Sequence, residues 1–142
     1  MNSSSSKRPN TKLLVSLFTL FIVNAASSIA EGAGRASVSI SAQSISPKKI
    51  ELTFTTQPTT GLVINHDGPW KLEIKDAGGI KPEKLELKRT EWKEDIGGFI
   101  VPANPQGKKN TDIKFKLVAF VCTKDKSQCF REVIESTSKV SW

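Results

Sequence analysis

Cys122 and Cys129 are the only cysteines in the chain, and six residues separate them. Two thiols at that distance can close a small ring. Such a ring either staples a turn or is opened and closed by exchange, in which a thiolate attacks one sulfur and expels the other. Lys124, Lys126 and Arg131 stand nearby in sequence, and positive charge favours the thiolate that exchange requires. The spacing is not the Cys-x-x-Cys of a helix start, and taken alone it points first to a staple. A metal site finds too few ligands. With His66 the pair makes three at most, and His66 belongs to a different turn. His66 is the one histidine and reads as a surface or hydrogen-bonding residue. No Ser-His-Asp set, P-loop or paired-carboxylate site is visible, and a lone histidine argues against classical hydrolase chemistry. No cofactor is expected.

The elements that must position the pair are strands. Ser37–Ala42 and Lys49–Thr55 alternate with period two, which puts Ile50, Leu52 and Phe54 on one face. Gly61–Ile64 and Trp70–Ile74 follow, separated by the turn-forming Asn65-His66-Asp67-Gly68-Pro69. Leu85–Leu87 is a shorter strand, and Gly97–Pro102 is a brief one entered through a flexible glycine hinge. Ile113–Cys122 is the strongest, and Cys129–Thr137 is the last. Trp70 alternates with Leu72 and Ile74 and is placed in the core. Trp92 sits among charges and reads as a partial cover or contact point. Trp142 reads as a strand-end anchor. With no helical stripe in the sequence, the expected fold is an all-β, immunoglobulin-like β-sandwich, with a small barrel as the alternative.

If Cys122 and Cys129 oppose each other across the final hairpin, every opposed pair has numbers summing to 251. Val121 then meets Phe130, Val118 meets Val133, Leu117 meets Ile134 and Lys116 meets Glu135, a set that stabilises a strand pair. Ala119 opposite Glu132 is the one poor match. In this register the cysteines lie at the mouth of the hairpin, on the partly polar face of Phe120 and Arg131, nearer the surface than the deep core. The loop Thr123–Gln128 is polar and lacks glycine and proline; its length excludes a tight two-residue turn, so a looser loop clamped by the bridge is expected.

The N-terminus reads as a secretory signal over residues 1–30. Lys7, Arg8 and Lys12 precede the apolar run Leu13–Val23, and Ser28-Ile29-Ala30 fits the small-x-small rule for cleavage after Ala30. Residues 31–142 are then a single exported domain, periplasmic or secreted, with no membrane insertion after cleavage. Ala33–Ala36 is expected to be loose. Three of the 21 basic residues lie in the signal, and the remaining 18 against 14 acidic residues give +4. Those charges are interspersed from Lys81 to Glu94, without the one-sided stripe that nucleic-acid binding uses.

The pattern Ile113-Lys-Phe-Lys-Leu-Val-Ala-Phe-Val-Cys122, a polar loop and Cys129-Phe130 resembles the N-terminal periplasmic domain of the disulfide-interchange reductase DsbD and its relatives. Leu52-Thr53-Phe54, Gly61–Asn65 and Trp92-Lys93-Glu94-Asp95 agree in order. The stretch Leu62-x-Ile64-Asn65 to Pro69 is also similar to one in the C-terminal β-domain of NHL-repeat, thioredoxin-like proteins. The resemblance covers about Ile50 to Val140. It implies an immunoglobulin-like fold and a redox-active pair at Cys122 and Cys129, with one attacking a partner's disulfide and the other resolving the mixed disulfide. It implies periplasmic thiol–disulfide proteins or a membrane electron donor as partners. A cap loop shields the pair in those domains, and the corresponding segment here is Asp95-Ile96-Gly97-Gly98-Phe99. The reading from another class is a non-enzymatic binding module in which the same disulfide is a staple.

Overall fold

The computed structural model describes residues 28–31 and 34–142. The expected signal segment lies outside the described residues except for its last three. Among the described residues ten strands form two antiparallel sheets. In chain order they are β1 (Ser28–Glu31), β2 (Ala36–Ser46), β3 (Lys49–Pro58), β4 (Leu62–Ile64), β5 (Lys71–Asp76), β6 (Ile80–Pro82), β7 (Glu86–Lys88), β8 (Gly98–Pro105), β9 (Asn110–Thr123) and β10 (Cys129–Ser141). A 3-10 turn, Arg89–Glu91, follows β7.

One sheet runs β1-β2-β3-β8-β6, and the other runs β10-β9-β5-β7 with β4 also paired to β9. Taken as A to G, β2-β3-β8-β6 and β10-β9-β5 have the ABED and GFC strand orders of an immunoglobulin sandwich. Strands β1, β4 and β7 are additions to that frame. The period-two patterns decide which faces meet. Ile50, Leu52 and Phe54 of β3 and Ile113, Phe115, Leu117, Ala119 and Val121 of β9 are all buried in one core between the sheets. Phe54 meets Phe115 edge-on at 5.5 Å between ring centroids, linking the B and F strands, the pair that antibody domains join by their inter-sheet disulfide.

Several elements differ from expectation. The last two strands run on to Asn110 and Ser141, because the pairing continues through Thr111–Val140 and Val140 is itself buried in the core. Ala36 is buried at the start of β2 rather than loose. The Thr59 N–H and hydroxyl donate to the carbonyls of Arg35 and Gly34, tying the entry segment down. Ala33 lies outside the described residues. Ser28–Ala30, the end of the expected signal, pairs with Val38–Ile40 as most of β1.

Gly97 and Gly98 are not a free hinge. A Cβ on Gly98 would stand 1.7 Å from the Phe54 carbonyl oxygen, so only glycine lets β8 approach β3 here. The Lys93 and Gly98 backbones bond reciprocally at 2.8 and 3.1 Å and close the turn between them.

Candidate functional site

Strand β9 carries the site because it is paired on both edges. Cys122 lies between Val63 of β4 and Cys129 of β10. The β9–β10 register is the one that the summed positions predict, from Cys122–Cys129 through Lys116–Glu135. The two sulfurs form a disulfide with Cα atoms 4.0 Å apart. Thr123 donates its N–H to Gln128 at 2.9 Å, so the neighbouring cysteine pair is non-hydrogen-bonded. At such pairs the side chains of an antiparallel ladder come closest.

The face is the outer one, as expected, but the two cysteines do not share one environment. Cys122 is 2% exposed, whereas Cys129 is an exposed residue. Position in the sheet explains the split. Cys122 is on a central strand with neighbours on both sides, and Cys129 is on an edge strand with a neighbour on one. Rows of cross-strand neighbours continue down this face. Phe120 stands opposite Arg131, then Lys71, Val118 and Val133 form a row, then Glu73, Lys116 and Glu135. The Asn65–Pro69 segment spans the gap between β4 and β5 and packs on Phe120. The Asn65 N–H donates to the Phe120 carbonyl at 2.9 Å, and a Cβ on Gly68 would fall 2.4 Å from the Phe120 ring.

The loop closing the ring is tightly organised rather than loose. Asp125 Oδ1 accepts from the Thr123 hydroxyl at 2.5 Å and from the Ser127 hydroxyl and N–H at 2.8 and 3.1 Å. These donors, the Thr123 hydroxyl foremost, lower the Asp125 pKa to about 2. The Lys126 N–H donates to the Thr123 carbonyl at 2.8 Å, and Lys126 takes a left-handed φ of 57°. A self-satisfied side-chain network thus supplies what glycine supplies in shorter turns. Lys124, Lys126 and Arg131 are exposed, and among the described residues none of the three forms an ion pair.

The poor match Ala119–Glu132 also has a structural reason. Glu132 points inward and is 3% exposed, and Arg35 at the start of β2 donates to its carboxylate at 2.8 Å. The same guanidinium lies 4.2 Å from the centre of the Phe130 ring. Small Ala119 leaves room for the Glu132 carboxylate, and the partner is 97 residues away.

The segment corresponding to the cap does not cover the pair. Phe99 is fully buried in the core, and Gly97 rests against Ile64 and Thr56 on the inner side. Trp92, expected as a cover, is also buried. It stacks on Trp70 at 3.7 Å and meets Phe99 edge-on at 5.3 Å. Its Nε1 donates to His66 Nδ1 at 3.2 Å, and Trp70 Nε1 donates to the Asn65 carbonyl at 2.7 Å. His66 is therefore a hydrogen-bond acceptor for a buried indole. The Trp142 N–H donates to the Lys109 carbonyl at 3.0 Å and anchors the end of β10. Among the described residues no group of three or more His, Cys, Asp or Glu is placed to hold a metal, and no helix is long and apolar enough to cross a membrane. Compared with known protein families, curated proteins and solved structures, the chain finds no match.

Proposed function

We propose that the chain is an exported thiol–disulfide exchange domain, of the kind found at the N-terminus of DsbD, that passes electrons through Cys122 and Cys129. The observation that carries this reading is the split across the bond, with one sulfur on an exposed residue and the other on a residue 2% exposed. A partner thiolate attacking Cys129 Sγ forms a new S–S bond there. The Cys122–Cys129 bond breaks, and its electron pair leaves on Cys122 Sγ, which then takes up a proton. A second thiolate from the partner displaces Cys129, giving an oxidised partner and a reduced pair. In the reverse direction the Cys129 thiolate attacks a partner disulfide and Cys122 resolves the mixed species. Both directions pass through a mixed disulfide on Cys129.

Two further points support the reading. A ring this small adds only about 2–2.5 kcal/mol on the chain-entropy model, and its turn is already closed by its own hydrogen bonds. The expected signal supplies export to a compartment where exchange partners work. The partners are then periplasmic thiol–disulfide proteins or a membrane electron donor.

The test is the reduction potential of the exported protein. A value above about −300 mV is expected of an exchange-active bond. A lower value overturns the proposal and leaves a β-sandwich binding module with a structural disulfide.

A further inference from the structure

The backbone around Cys129 has a property that the side chains do not reveal. In an antiparallel ladder, residues at non-hydrogen-bonded positions turn their N–H and C=O away from the strand they face. Thr123 and Gln128 are a hydrogen-bonded pair, so in the register Cys122–Cys129 and Phe120–Arg131 are not. The chain confirms the alternation on the far side of β9, where the Phe120 carbonyl accepts from Asn65. Among the described residues no strand pairs with the corresponding side of β10. The N–H and C=O of Cys129 and Arg131 therefore point away from β9, along an edge that no described strand pairs with.

The same edge is where the chemistry must arrive. A thiolate attacking Cys129 Sγ enters from the side opposite the leaving sulfur. The leaving sulfur belongs to Cys122 on β9, hemmed in by Val63 beyond it, so the accessible side is that of β10. Strands β1 and β2 come near β10 from the other sheet but do not pair with it. Cleavage after Ala30 would remove three of the four residues of β1.

We propose that the exchange partner presents its cysteine on an extended segment that adds to the free edge of β10, pairing with the backbone of Cys129 and Arg131. This inference rests on the exchange reading and names the form of the partner. Main-chain pairing supplies affinity without a demand on sequence, and it fixes the incoming sulfur against Cys129. Arg131 contributes its backbone, and its exposed side chain is free of ion pairs with described residues.

The test measures how fast the oxidised exported protein is opened by a synthetic nine-residue Thr/Val peptide with a central cysteine. The comparison is its twin, N-methylated on alternate amides and unable to pair along that edge. The plain peptide should react roughly tenfold faster, the size of one to two net hydrogen bonds. Arg131→Pro removes the outward N–H without touching a bond to β9 and should abolish the difference, since proline is tolerated on an edge. Arg131→Ala, which loses the charge alone, should preserve it. Equal rates for the two peptides on the unaltered protein overturn the proposal, whether or not the proline variant folds. The potential separates the two readings. A preference for the plain peptide with a structural-range potential leaves a strand-binding edge and removes exchange. Equal rates with a higher potential remove the edge and leave exchange.

Discussion

The tip of the β9–β10 hairpin and the aromatic cluster around Trp92 hold the same end of the sandwich by opposite means. At the tip the chain is closed by a disulfide and by a polar network around Asp125, and residues 124–129 are exposed. In the cluster Trp70, Trp92 and Phe99 are buried, the two indoles stacked and Phe99 edge-on to Trp92, with each indole N–H satisfied. Phe120 joins the two, being two residues from Cys122 and 6.0 Å from the Trp70 ring. The difference teaches where stability resides. Rings that leave water altogether contribute far more than a cross-link between residues already adjacent. The covalent bond thus stands where its loss costs the fold less than loss of the aromatic cluster would.

The largest expected effect comes from the cluster. Trp92→Ala removes the stacking partner of Trp70 and leaves the His66 acceptor without its indole donor. A cost of about 3–5 kcal/mol is expected, as for other buried aromatic truncations, read from denaturant unfolding. A loss below about 1 kcal/mol would break the comparison. Reduction of Cys122–Cys129 should cost at most about 2–2.5 kcal/mol. The β-sheet circular dichroism and Trp fluorescence of the reduced protein should match those of the oxidised protein. If reduction alone unfolds the chain, the tip is holding the sandwich and the contrast is reversed.

The contrast was half legible in the sequence. The hairpin register followed from apolar pairs such as Leu117–Ile134 and from the cysteines, because strand pairing leaves a local arithmetic trace. The depth of Cys122 did not follow. Alternation assigns a face, but burial of an outward residue depends on a third strand, and β4 is only the three residues Leu62–Ile64. Trp92 was misplaced because its sequence neighbours are charged, and a residue entering the core from a short 3-10 turn leaves no period to detect. Glu132 looked like a mismatch because its partner, Arg35, is remote in sequence. Asp125 gave no signal beyond its presence in a polar loop, although a short Thr-x-Asp-x-Ser spacing is compatible with side-chain bonds inside a turn.

The smallest effect sharpens the comparison at the tip. The Asp125 carboxyl has its pKa lowered from 3.8 to about 2, chiefly by the Thr123 hydroxyl and then by Ser127. A group whose folded pKa is depressed contributes stability that is present above its unfolded value and is lost as pH falls through the folded one. The contribution of Asp125 should therefore be complete at neutral pH, begin to fall near pH 3.8 and vanish below about pH 2. Carboxyl NMR titration should place the midpoint near 2 in the natural chain. It should rise toward the ordinary aspartate range in Thr123→Val. An unshifted midpoint in Thr123→Val would show that the network does not hold the turn. The disulfide would then be the main closure of the tip rather than a second one, and its opening would release the loop.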